Sequence, residues 1–285
     1  MRIEEERIED YAAELEQAAT AGPSVERVPV ADDPEAAAAF AICMNAINFG
    51  SGWWPTIRRR PGLSGYSTME AGVAERFDSA GAWDAEELVA MNPGEIAAVV
   101  GQDPEHPLMA QFAAALRDVG SHLIDEHDGR YLGAAEGAES IPQLARSFGC
   151  WRSFADVSSY EGREVPFFKR AQLAAADLHR AGVAELPGVG RLTAFADNLV
   201  PHVLRVDGVL ALDPRLEAKI EAEELLVHGS SEEVELRACA VQAVELLTAA
   251  GSALVPAQID SVLWNRGRGP RYKSVARPRS RNVSY

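Results

Sequence analysis

The first chemically informative feature of this chain is a carboxylate among uncharged neighbours. Asp197 stands in the stretch from Leu186 to Arg205, LPGVGRLTAFADNLVPHVLR, flanked by Ala196, Asn198 and Leu199. A carboxylate in such surroundings must be paired, solvated or put to use. A second carboxylate, Asp260, falls with Ser261 and Trp264 on neighbouring faces of a helical segment just ahead of an arginine-rich tail. Lys169 follows Pro166-Phe167-Phe168, where a lysine snorkels to water, holds a phosphate or pairs with Asp197. Asn48-Phe49 and Trp53-Trp54 flank the glycine-rich break Gly50-Ser51-Gly52. Aromatic faces on such a loop either stack on a flat heterocycle or plug a core.

Other chemistries have no foothold. Ser/His/Asp order, a Walker loop, a dinucleotide fingerprint, HExxH and an EF-hand are all missing from the sequence, and the six histidines are scattered. Cys43, Cys150 and Cys239 have no metal-ligand spacing and read as buried free thiols of a reducing cytoplasm. The net charge of -16 and the isoelectric point near 4.8 repel a phosphate backbone, so long nucleic acid is a poor partner. A small anion in a local basic pocket remains compatible with that charge. The opening MRIEEERIEDYAAELEQ is acidic and amphipathic rather than a basic-then-apolar signal, and no apolar run approaches the roughly 20 residues that span a bilayer. Export and membrane insertion are therefore not expected.

The elements that must hold these residues are mostly helices. Ile8, Tyr11, Leu15 and Ala18 make an apolar stripe on an opening helix, and Asp33-Pro34-Glu35 caps an alanine-rich helix running to Phe49. Asp84 with Glu87, and Asn92-Pro93 with Glu95, start two more. Leu108, Phe112, Leu116, Val119 and Leu123 mark a long core helix between His106 and His127, and Ser140 to Gly149 reads as a short one. Pro61 to Tyr66 and Arg163 to Phe167 are the extended pieces of a small hairpin. Further helices follow: one from Phe168 with Leu173, Ala176 and Leu178, one from Asp213-Pro214 with Leu216, Ile220 and Leu225 on one face, and one capped by Ser230 and Glu233. Acidic Gly137-Ala138-Glu139 is the weakest point along the chain, where a boundary would fall.

In the central stretch, Leu186 to Gly190 forms a glycine turn, and a helix is expected from near Arg191, with Phe195, Leu199 and Val203 facing a core and Pro201 kinking it beside Asp197. Such a turn is a connector or an anion site at a helix N-terminus. Glu235 and Arg237 read as a structural ion pair. Seven of the twenty residues from Arg266 to Tyr285 are Arg or Lys, a tail that straps an acidic surface or guards an anion pocket.

The LPGVG turn is similar to that of helix-hairpin-helix DNA glycosylases, although Leu192 stands where their lyase-type members carry lysine. From about Asn45 to Tyr285 the chain more fully resembles the queuosine salvage protein family. The resemblance rests on ordered motifs: Asn48-Phe49 before Trp54, Ser64-Gly65-Tyr66, Phe168-Lys169-Arg170-Ala171-Gln172, Leu192 to Asp197, Glu233 to Arg237, and Leu263-Trp264. It implies a mainly α-helical bundle of helix-hairpin-helix-glycosylase type with a small β-hairpin, formed as one domain over residues 1–285, its site between two helical lobes. It also implies hydrolysis of queuosine 5'-phosphate to queuine and ribose 5-phosphate, without metal or organic cofactor, by a cytoplasmic monomer whose partner is a small nucleotide.

Carried over motif by motif, Asp197 would be the catalytic carboxylate, helped by Lys169. Phe195 would wall the nucleotide site, and Asp260, Ser261 and Asn265 would lie in the C-terminal part of the pocket. Asn48, Phe49 and Trp264 complete the expected substrate contacts. The chain departs from the usual family pattern at Asn265, where aspartate is common, and at Asn198 and Ser261, where tyrosine-like residues stand. Two other functions are compatible with the residues: a DNA glycosylase acting on a modified base, and a noncatalytic protein that binds queuine or its nucleotide.

Overall fold

Caps written into the chain set most helix starts in the computed structural model, which describes residues 1–21 and 33–285. The elements run β1 (Arg2–Ile3), α1 (Ile8–Ala21), α2 (Pro34–Ala46), α3 (Gly65–Ala80), α4 (Ala85–Ala90), α5 (Pro93–Val100), α6 (Pro107–His127) and α7 (Ile141–Gly149). The hairpin strands β2 (Val157–Tyr160) and β3 (Arg163–Pro166) come next, then α8 (Lys169–Arg180), α9 (Val200–Val206) and β4 (Leu210–Ala211). The chain closes with α10 (Pro214–Glu221), α11 (Ser231–Ala249), α12 (Pro256–Gly267) and α13 (Pro270–Lys273). Asp33 accepts the Glu35 N–H at 3.0 Å, and Asp84–Glu87 and Asn92–Glu95 each form a full capping box. Each such cap is worth about 1 kcal/mol. No helix among the described residues is long and apolar enough to cross a membrane.

Among the described residues, two large apolar cores meet along a seam, with two small clusters beside them. The larger is built by α2 to α8 around the long α6, whose Leu108, Phe112, Leu116, Val119 and Leu123 are buried as their spacing requires. Residues on both sides of Gly137 pack into this core. The smaller joins α1, α9, α11 and α12 through residues such as Tyr11, Leu15, Val203, Val244 and Leu263. The stretch 192–196 runs along the seam, with Leu192 and Phe195 in the first core and Ala194 in the second.

Several expectations are corrected. Pro61 to Tyr66 is not a strand: the Ser64 hydroxyl accepts the Ser67 N–H at 3.0 Å and starts α3. The partner of β3 is β2, because Glu161 and Gly162 both take positive φ, the turn geometry that matches the twist of paired strands. Helix α2 stops at Ala46 rather than Phe49. Past Gly188, which is left-handed at φ 91°, only one 3-10 turn forms (Val189–Arg191). The chain then runs without helix to α9, where Pro201 sits in the first turn rather than at a kink, since that turn needs no N–H there.

The glycine turn is therefore a connector: Pro187 O accepts the Ile141 N–H at 3.0 Å, and Gly188 packs against Pro142. Leu225 lies past the end of α10 and is exposed. Ser230 caps α11 at 3.4 Å, but Glu233 reaches the Gly229 N–H and the Tyr285 hydroxyl instead of closing the box. Of the three free cysteines only Cys43 is buried; Cys239 is half-buried and Cys150 exposed. Chain direction after a helix start cannot be read from caps alone, which is why these differences cluster in connecting segments.

Candidate active site

The segment carrying Asp197 is held from three helices. Gln172 on α8 accepts the Thr193 N–H at 2.9 Å and donates to its hydroxyl at 2.9 Å. Asp260 on α12 accepts the Phe195 N–H at 2.8 Å, and Arg237 on α11 donates to Ala196 O at 2.9 Å. Asn198 donates to Pro278 O at 2.9 Å and accepts from the Ser51 hydroxyl at 3.2 Å. These bonds replace the ladder that a helix or sheet would supply, and so keep a buried, irregular backbone satisfied. Asp197 itself is half-buried, and its Oδ1 accepts the Leu199 N–H at 2.6 Å and the Val200 N–H at 3.3 Å, in the turn that leads into α9. Both bonds fall on one carboxylate oxygen.

Asp260 and Lys169 complete a charged cluster at the seam. Asp260 is buried in the second turn of α12, and burial pushes its carboxyl up to about 7. The Asp197 charge pushes the same way, against the Phe195 N–H and Lys169. Lys169, the first residue of α8, is 5% exposed and donates its ammonium to Asn48 O at 3.2 Å. Burial pulls its pKa below the ordinary lysine value, with Asp197 and Asp260 opposing and Arg170 adding to the fall. Asp260 thus titrates near neutrality beside a second carboxylate.

The remaining expected residues sort by position. Phe195 has its ring in the large core at 3% exposure, so its N–H is what reaches the cluster. Asn48 contributes its carbonyl, while its amide donates to Asn45 Oδ1 at 3.4 Å. Phe49 packs edge-on against Phe112 with ring centres 5.0 Å apart and under the Arg170 guanidinium at 4.8 Å, which is the core-plug use. Trp264, half-buried, meets Tyr66 edge-on at 6.0 Å and carries the Arg268 guanidinium 5.0 Å above its ring. The Ser261 hydroxyl bonds back to Ala257 O at 3.0 Å, and Asn265 is exposed.

The basic tail acts as a strap. Arg266 and Arg271 neutralise Asp207, each at 3.1 Å, while Arg279 and Arg281 tie to the carbonyls of Trp54 and Gly52. Gly52 is required there, since a Cβ would stand 2.1 Å from Ser280 O. Arg170, 1% exposed, donates to Ser284 O at 3.2 Å and Val283 O at 2.5 Å and to Ala46 O, pinning tail and loop to α8. Burial pulls its guanidinium down to about 9, which leaves it charged at neutral pH. Arg277, half-buried, feels Asp197 as its opposing charge and Arg279 and Arg59 as like charges, while burial lowers its pKa. Arg59 itself lies 3.5 Å over the Trp54 ring.

Sequence reasoning missed Arg277 as an individual residue and missed Asp156 altogether. Arg237 pairs with Asp156 at 2.9 and 2.6 Å and lies 3.8 Å from Glu233, whereas Glu235 accepts the Tyr160 hydroxyl at 2.6 Å. The expected Glu235–Arg237 pair is therefore wrong, because residues two apart on a helix face different sides. An aspartate between Phe154-Ala155 and Val157 was the available signal for Asp156.

A family model described as queuosine salvage protein matches residues 28–285. The queuosine 5'-phosphate N-glycosylase/hydrolase of Sphaerobacter thermophilus is 31% identical over 268 residues, covering 89% of this chain and 83% of that protein. The mouse protein of the same name is 30% identical over 201 residues, 63% of this chain and 59% of its own length. That of Dictyostelium discoideum is 29% identical, covering 71% of this chain and 66% of its own length.

Proposed function

This chain belongs to the queuosine salvage protein family, and from that premise we propose that it hydrolyses the N-glycosidic bond of queuosine 5'-phosphate, releasing queuine and ribose 5-phosphate for reuse in transfer RNA modification. The observation that carries the reading is the cluster of Asp197, Asp260 and Lys169 at the seam of the two cores.

Breaking the bond between C1′ and N9 sends its electron pair to the base and builds positive charge on the ribose. Asp197 stabilises that charge and orients the water whose oxygen joins C1′; Oδ1 being tied to the α9 amides, Oδ2 is the oxygen we assign to this task. The water's protons balance the step, one going to the departing base. A 7-deazaguanine has carbon at position seven, so protonation there does not ease departure. Asp260, poised near neutrality, is our group for the polar edge of the base, accepting its N–H donors when ionised and donating when protonated. Lys169 balances the two carboxylates and orients the Asn48 loop.

Arg277, with Arg59 and Arg279 as neighbouring charges, is our candidate for the 5'-phosphate. Trp264 offers a partly open ring for the flat base. We further assign the enzyme to the cytoplasm, where three free thiols persist, and to the monomeric state.

The test is incubation of the purified protein with queuosine 5'-phosphate and, separately, queuosine, following free queuine by liquid chromatography. Release from the phosphate is expected. Binding without release from either compound would overturn the hydrolase reading.

A further inference from the structure

Arg237 and Asp156 stand behind the reactive cluster and bond to the backbone on both sides of it. Each is buried, Arg237 at 1% exposure and Asp156 at 2%. The guanidinium spends all three nitrogens: Nη1 and Nη2 on the Asp156 carboxylate at 2.9 and 2.6 Å, and Nε on Ala196 O at 2.9 Å, next to Asp197. Its plane lies between two rings, 3.9 Å from the centre of Phe167 and 4.3 Å from that of Tyr285. Asp156 in turn gathers three consecutive amides. Its backbone oxygen accepts from Phe167 N at 2.9 Å and Phe168 N at 3.2 Å, and its Oδ2 from Lys169 N at 3.1 Å. Phe168 is left-handed at φ 50°, a conformation that a bulky residue keeps only when its surroundings impose it.

Resting on the reading of this site as a nucleotide N-glycosylase, we propose that the Arg237–Asp156 ion pair is a positioning pair for the reaction. It sets the spacing between Asp197 and Lys169, through the Ala196 carbonyl on one side and the Lys169 amide on the other. Glu233 extends the device, lying 3.8 Å from Arg237 and accepting the Tyr285 hydroxyl at 2.7 Å, so it fixes the Tyr285 ring that covers the guanidinium. A buried ion pair contributes little net stability over apolar residues of equal volume, whereas its planar, bidentate bonds fix direction. Lysine keeps the charge but not the fork, and misplacing a reacting group by about 1 Å costs up to about a hundredfold in rate.

The experiment compares steady-state hydrolysis of queuosine 5'-phosphate by wild type, Arg237→Lys and a remote control, Tyr272→Phe. The control loses the hydroxyl that lies 2.9 Å from both Asp207 carboxylate oxygens, a group outside the proposed site. Arg237→Lys is expected to lose about ten- to a hundredfold in kcat with KM within about threefold, while Tyr272→Phe lowers the melting temperature and keeps its kcat. Wild-type kcat in Arg237→Lys overturns the inference, as does a kcat loss in both variants that tracks their melting temperatures. Should Arg237→Lys not fold, Asp156→Asn carries the same comparison with the same expected split, since it keeps the volume and an oxygen for the Lys169 amide. An inactive wild type overturns the glycosylase reading instead, so the two failures are told apart.

Discussion

Asp260 accepts the Phe195 N–H at 2.8 Å across 65 residues of sequence, two positions ahead of Asp197. This bond ties α12 to the segment that carries the other carboxylate and holds two negative groups near one another. The cost appears on Asp260, whose carboxyl is pushed up to about 7 by burial first and by Asp197 second. An acid that titrates near neutrality beside a second carboxylate suits cleavage of a glycosidic bond, where one group meets positive charge and the other can carry a proton.

Replacing Asp197 by asparagine separates chemistry from folding. Asparagine keeps an oxygen for the Leu199 and Val200 amides and so preserves both backbone bonds. The melting temperature is expected to move by no more than about 3 °C, while kcat falls by about a hundredfold or more. Initial rates and thermal melts on the same preparation check both; undiminished turnover removes Asp197 from the mechanism.

Asp260 predicts a stability slope with pH. The folded protein holds a proton on it up to about pH 7, whereas an unperturbed aspartate loses it near 3.8. Its contribution is therefore fully present below the unfolded value and declines as pH rises through the folded one, on the order of 4 kcal/mol in all. Asp260→Asn lacks this titration, so its stability relative to wild type should grow between pH 4 and 7 in urea denaturation. Parallel curves for the two proteins contradict the shifted carboxyl.

Arg277→Gln tests the phosphate assignment. Charge-assisted bonds are worth about 1.5–3 kcal/mol, so KM for queuosine 5'-phosphate should rise by about ten- to a hundredfold while any turnover of queuosine, which lacks the phosphate, is unaffected. Equal effects on phosphate and nucleoside would move the phosphate site elsewhere on the surface.

Gly52→Ala tests whether the tail is structural. The added Cβ would meet Ser280 O at 2.1 Å, and backbone has little room to yield, so a loss of about 2 kcal/mol or more is expected. Thermal melting and trypsin cleavage at Arg279 and Arg281 should both report a loosened tail. Unchanged melting and digestion would show the strap to be dispensable.

Local chemistry was legible in the sequence. Caps at Asp33, Asp84, Asn92 and Asp213 start the helices they announce, and the spacing of Leu108 to Leu123 marks the face of α6 that is buried. These features depend on residues a few positions apart, whose interactions form within one helix turn. The ordered motifs also pointed to the family that the chain belongs to. Asp197, Asp260 and Lys169 stood out because charges among apolar neighbours need a reason.

Only the tertiary structure decided how these groups meet. Stretch 192–199 lost its expected helix because Gln172, Asp260 and Arg237, from three different helices, satisfy its backbone in an extended path. Arg237 was assigned to Glu235, two positions away, but pairs with Asp156 across 81 residues. Phe195 turned its ring into the core and left its N–H at the site, and Arg277 came to face Asp197 from the tail. Residue types and short-range spacing record what a segment can form alone. The partners of a buried charge, and the pKa that follows from them, are set by burial and by groups distant in sequence, so they exist only once the two cores have closed on the seam.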